Sequence, residues 1–303
     1  MRIVVTGREG QIVRSLIERG PLAGHDVVPL GRPELDLAQE PASIVDVIKA
    51  GSPDVIVSSA AYTAVDRAES EPDLAFAINE RGAGAVAQAA AELGVPLIHI
   101  STDYVFDGNK SAPYLESDAP APGGVYGASK LAGERAVLAA HEDAAVLRTA
   151  WVYSPFGANF ARTMLRLGGD RDEIAVVDDQ LGNPTSALDI ADGILRVAAN
   201  LHGDPAPSLR GIFHMTASGE ATWADFAETI FSASAAAHGP SARVRRISTA
   251  EYPTRARRPA NSRLDCTRLE RAHAVRLPDW RTSAERAVRR LVLETASTKV
   301  CQQ

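Results

Sequence analysis

Cysteine is nearly absent from this 303-residue chain: Cys266 and Cys301 are the only two, far apart, so neither a disulfide framework nor a zinc motif is available. Aromatic residues make up 5%, and alanine is plentiful, which predicts a core built from Ala, Val, Leu and Ile. Excess positive charge is also missing. A formal net charge of -6 and a pI near 5.7 exclude a general nucleic-acid binder. No apolar run approaches the ~18 residues of a membrane span, and residues 1–6 are too short for a signal segment. The seven histidines show no metal-ligand spacing. These absences lead to the expectation of a cytoplasmic protein without nucleic-acid or membrane partners.

What is present is alternation. Short β-branched runs at 2–7, 25–31, 53–60, 95–102 and 144–151 read as strands, nearly continuous in apolar residues, as in a parallel sheet covered on both faces. Helix patterns lie between them at 11–20, 41–50, 72–93 and 127–141. The alternation predicts an α/β fold, a doubly wound parallel sheet of Rossmann type, with a smaller C-terminal lobe. The expected division is 1–150 plus roughly 183–215 for a dinucleotide-binding domain and 151–182 plus roughly 216–295 for the lobe, with a disordered tail at 296–303.

In such a sheet, ligands gather at the carboxyl ends of the strands. "TGREGQIV" (6–13) follows the first strand, and Gly7 and Gly10 would let the backbone approach a pyrophosphate. Val13 stands at the third glycine position, which predicts a displaced or tilted helix. The second strand ends in Gly31-Arg32, with no acid before Glu34, so Arg32 is a candidate for a 2′-phosphate and NADPH is favoured over NADH. Asp36 and Leu37 would flank the adenine. "HISTDYVFDG" (99–108) puts Thr102 at the end of the fourth strand, and "VYGASKLAGE" (125–134) puts Tyr126 and Lys130 on one helix face. A hydroxyl with Tyr-x-x-x-Lys is the chemistry of hydride transfer to a carbonyl. Thr102 would bind the carbonyl and Tyr126 would serve as acid. Lys130 would hold the nicotinamide ribose and lower the phenol from its usual pKa of about 10.

The constellation resembles the extended short-chain dehydrogenase/reductases. With "AAYTAVDRAESEP", "STDYVFDG", "YGASKLAGE", "VLRTAWVYSPFGANFARTML" and "VVDDQLGNPTSALDIAD" it is similar, over nearly the full chain, to the dTDP-4-dehydrorhamnose reductases. That resemblance implies NAD(P)H-dependent reduction of the 4-keto group of dTDP-4-dehydro-6-deoxy-L-mannose. It implies a cofactor lying along Gly10, Gln11 and Ile12 and lined by Asp36, Leu37, Ala61, Tyr62 and Thr63. Asp103 and Trp151 would touch the sugar. Ser58 and Ser59 stand where the family usually has Asn and Ala, and Glu9 would repel the pyrophosphate unless it points to solvent or pairs with Arg8. "TRARR" (254–258) reads as a solvated loop, with contact to a substrate diphosphate as the other reading. Mg2+ is left open, since no residue cluster indicates it, and so is a homodimer. Two rivals share the fold: a nucleotide-sugar epimerase or dehydratase, which Arg32 speaks against, and a non-catalytic regulatory binding subunit, which an acidic chain without a partner-binding tail does not support.

Overall fold

The structure, a computed structural model, describes residues 1–300, with side chains through 295. Five strands, β1 (Arg2–Thr6), β2 (Asp26–Leu30), β3 (Val55–Ser58), β4 (Leu97–Thr102) and β5 (Ala144–Thr149), join the strand Gly211–His214 in one sheet. Every pairing is parallel, and the order across the sheet is β2, β1, β3, β4, β5 and then Gly211–His214. The first six helices are α1 (Gln11–Arg19), α2 (Pro41–Ala50), α3 (Val65–Ala68), α4 (Pro72–Phe76), α5 (Ala83–Leu93) and α6 (Val125–Ala140). They are followed by α7 (Phe160–Asp170), α8 (Ala187–Gly203), α9 (Trp223–Ala236), α10 (Thr267–His273) and α11 (Trp280–Val300).

The unbroken apolar strands divide their side chains by parity, because successive residues of a strand point to opposite faces. Ile3, Val5, Val55, Val57, Ile98 and Leu147 pack against α1 and α8 on one face, in one core with Leu16, Ile190 and Ile194. Ile56, Leu97, Ala144 and Val146 meet α2, α5 and α6 on the other, against Ile48, Val86 and Val137. A separate core, with Met164, Phe226, Ile230, Trp280 and Val288, is built where α7, α9 and α11 meet. α11 runs to Val300, so the tail expected from 296 begins inside a helix; residues 301–303 lie outside the described residues.

The helix expected over 72–93 is interrupted. Between α4 and α5 lies a π-helical turn, Ala77–Gly82, of the kind that often marks functional sites. Among the described residues no helix is long and apolar enough to cross a membrane, and no group of three or more His, Cys, Asp or Glu could hold a metal ion.

Candidate active site

Because β2 and β3 flank β1 on opposite sides, the chain leaves β1 in both directions and opens a cleft at the strand ends. Its volume is about 370 Å3, and Gly7, Gly10, Arg32, Asp36, Leu37, Ala61 and Thr63 all line it. Gly7 has a φ of +102°, which favours glycine, and Gly10 caps α1 with no side-chain hydrogen bond. Nor is there an acid in the first turn of α1, so its N-terminal N–H groups are free to meet an anion. Val13 is buried, and its Cγ2 lies 3.3 Å from where a Cβ on Gly7 would stand. The missing side chain of Gly7 thus accommodates the valine that replaces the third glycine.

Gln11 and Ile12 are not among the residues lining the cleft. Gln11 reaches across to the Ser154 hydroxyl (2.8 Å) and the Val152 carbonyl, and Ile12 belongs to the core. The loop after β3 has two sides. Ala61 and Thr63 face the cleft, while Tyr62 packs in a cluster with Val125 and Tyr126 and donates its hydroxyl to Glu71 at 2.6 Å. Thr6 accepts from the backbone N–H groups of Ser59 and Ala60, both at 2.9 Å, which ties this loop to the end of β1. Glu9 is exposed, and Arg8 pairs with Glu34 instead, at 2.7 Å.

Tyr126 sits in the first turn of α6, with the Tyr104 ring edge-on at 5.5 Å. Burial pushes its phenol up, the neighbouring Thr102 hydroxyl opposes the rise, and the charges of Asp103 and Tyr104 add to it. Lys130 is not among the groups that move the phenol here. Lys130 Nζ turns to the Ile100 carbonyl at 2.7 Å and lies 3.4 Å from His99 Nε2, and burial lowers its own pKa to about 8. His99 Nδ1 meets Ser58 Oγ at 3.1 Å, so the serine at the unusual position supports the imidazole beside Lys130. Thr102 donates to Asp103 Oδ1 at 2.9 Å; Asp103 Oδ2 is buried without a hydrogen-bond partner, and burial raises the carboxyl pKa to about 7.

Sequence reasoning missed the residues that seat α6. Glu134 continues the Tyr126–Lys130 face by one more turn and forms a bidentate pair with Arg148 of β5, at 2.8 and 2.6 Å, while Ser101 donates to it at 2.5 Å. The i, i+4, i+8 spacing is the signal that could have found it. Asn79, in the π turn, accepts from the N–H of Tyr62, and its Nδ2 donates both to the Tyr62 carbonyl and to the Ser129 hydroxyl of α6, the latter at 2.9 Å. The motif glycines explain the fit. A Cβ on Gly127 would stand 2.1 Å from the Tyr104 carbonyl oxygen, and one on Gly133 2.0 Å from that of Asn79.

Trp151 follows β5 with a φ of +47°, a strained setting for an aromatic residue. Its ring stacks on Trp223 at 3.6 Å, its Nε1 donates to Ser262, and a Cβ on Gly182 would stand 2.3 Å from its Cε2. From the basic stretch at 254–258, Arg258 is not simply solvated: it pairs with Asp66 at 2.6 Å and donates to the Tyr104 hydroxyl.

The family model described as the RmlD substrate binding domain matches residues 1–293. The chain is 52% identical to a dTDP-4-dehydrorhamnose reductase of Sinorhizobium fredii, over 97% of this chain and 99% of the relative. It is 42% identical to the enzyme of that name from Escherichia coli K12, over 98% and 100%. Among solved structures, the dTDP-4-dehydrorhamnose reductase of Bacillus anthracis in complex with NADP superposes with a TM-score of 0.87 at 37% identity, covering 94% of this chain and 98% of that one. With the strand order, the glycine-lined cleft and the Thr102–Tyr126 arrangement, these likenesses establish that the chain belongs to the dTDP-4-dehydrorhamnose reductase family.

Proposed function

We propose that the chain uses NADPH, with NADH as the alternative donor, to reduce the 4-keto group of dTDP-4-dehydro-6-deoxy-L-mannose to dTDP-L-rhamnose. One observation carries this reading. The loop after β3 joins the two halves of the chemistry, with Ala61 and Thr63 on the cleft and Tyr62 against Tyr126. The cleft suits a dinucleotide: its glycine turn admits a close backbone approach, the uncapped start of α1 meets a pyrophosphate, and exposed Arg32 stands at the end of β2.

The bound dinucleotide supplies the hydride. Thr102 orients the keto oxygen, and Tyr126 gives its proton to the alkoxide as it forms. The high pKa of the buried phenol suits this direction, because it keeps the proton in place until a stronger base develops beside it. Lys130, fixed by Ile100 and His99, keeps a donor for a ribose hydroxyl of the cofactor. The unpartnered Asp103 Oδ2 is an acceptor for a sugar hydroxyl. Trp151, stacked on Trp223, presents its remaining edge to the sugar.

The test is oxidation of NADPH and NADH with the enzymatically made 4-ketosugar, for wild type beside Tyr126→Phe. The substitution keeps the ring and removes the proton donor, so turnover is expected to fall by about 10²–10⁴-fold with NADPH binding retained. Near-normal turnover in Tyr126→Phe would remove the tyrosine from this role. A wild type that oxidises neither cofactor would refute the reductase reading itself.

A further inference from the structure

The adenosine end of the cleft carries two arginines in different circumstances. Arg32 is exposed and has no side-chain partner among the described residues, whereas Arg8 is paired with Glu34 at 2.7 Å. The Arg8 stem runs close over a glycine. A Cβ on Gly31 would stand 3.0 Å from Arg8 Cγ and 3.1 Å from the Gly7 carbonyl carbon, so a side chain there would crowd the Arg8 path across the end of β2. The Gly7 N–H donates to the Leu30 carbonyl at 2.6 Å and holds the two strand ends together beneath it.

Glu34 is the acid that Arg8 holds there. Glu34 is not itself among the residues lining the cleft, as Arg8, Glu9 and Asp36 are, but its pairing with Arg8 keeps it at the cleft edge, and Asp36 Oδ1 is already engaged by the Ala38 N–H at 3.0 Å. The Arg8–Glu34 pair is wet: the two side chains are 44% and 55% exposed, and a pair in that setting contributes little net stability. Its partners can therefore be traded for a stronger one at small cost. A phosphate dianion is such a partner for a guanidinium, which it can engage bidentately.

We infer that Arg8 and Glu34 form an exchangeable pair that fits one cleft to either dinucleotide. With a 2′-phosphate present, Arg8 leaves Glu34 and joins Arg32 on the phosphate. With a free ribose diol, Arg8 stays on Glu34, whose second carboxylate oxygen accepts from the 2′-hydroxyl. The inference rests on the dinucleotide reading of the cleft proposed above, and it makes Arg8 and Glu34 determinants of cofactor choice alongside Arg32.

Calorimetric titration of the full chain with NADP+ and with NAD+ tests this without turnover. The quantity is the ratio of the two dissociation constants. Arg8→Ala is expected to lower the preference for NADP+ by about tenfold, the effect of one hydrogen bond to a charged group. Glu34→Gln is expected to raise that preference severalfold, since it frees Arg8 and removes the diol's acceptor. In the double variant the gain from Glu34→Gln should shrink, because part of it acts through Arg8. A wild type that binds both dinucleotides, with the ratio unchanged in both single variants, overturns the exchange and leaves the cleft reading standing. A wild type that binds neither overturns both.

Discussion

Two arginine–glutamate pairs flank this site, with β3 and β4 between them; they are nearly equal in length but differ in water and in the number of bonds, the first bidentate with Ser101 added and the second a single contact. Arg148 meets Glu134 at 2.6 Å and Arg8 meets Glu34 at 2.7 Å. The first pair is 1% and 2% exposed, and the second 44% and 55%. Burial turns the same chemistry to opposite uses. Beneath α6, removal of either partner strands a charge in a medium that cannot solvate it, so the pair locks the helix that carries Tyr126 and Lys130. At the cleft mouth, water competes for both partners, so that pair can exchange. An ion pair's length says little about its role; its setting decides.

The sharpest way to break this comparison is Glu134→Ala. It leaves Arg148 buried without its counter-charge and should cost about 3–5 kcal/mol in chemical denaturation. A loss below 1 kcal/mol would mean that the buried pair is no lock. An intermediate effect is expected for Gly133→Ala, one residue away, where the new methyl would stand 2.0 Å from the Asn79 carbonyl oxygen. Overpacking of this kind costs about 1–3 kcal/mol. It should also lower turnover, because Asn79 couples the Tyr62 loop to α6. The smallest effect is expected for the stability of Arg8→Ala, at most about 1 kcal/mol and less at high salt. If Arg8→Ala destabilised the protein as much as Glu134→Ala, the contrast between the two pairs would collapse.

Local features of the site were legible in the sequence, and cross-chain ones were not. Continuous apolar strands, the glycine turn after β1 and the i, i+4 spacing of Tyr126 and Lys130 are short-range patterns that periodicity reports directly. The direction of the Lys130 ammonium was not legible, since Ile100 and His99 lie about thirty residues away in the chain. Nor was the π turn at 77–82, whose Asn79 finds its partners on the Tyr62 loop and on Ser129. The sequence left Glu9 to point to solvent or to pair with Arg8; it points to solvent, and the parallel pairing of β1 with β2 brings Glu34 to Arg8, a partner that adjacency in the chain does not reveal. Long-range pairing is a property of topology, and a single sequence carries it only through residues that must fit closely, such as Gly127 and Gly133.

The stacked indoles have a consequence for observation. The chain has three tryptophans, and two of them, Trp151 at the end of β5 and Trp223 at the start of α9, lie face to face within 6° of parallel. Indoles held so closely share their electronic excitation, which splits the near-ultraviolet circular dichroism band and shifts the emission. Trp280, fully buried in the second core, provides a steady background against which to read that signal. The seam between the sheet and the helices beyond it is therefore an optical gauge native to the protein, one that would report the sugar contact proposed for Trp151 without a label.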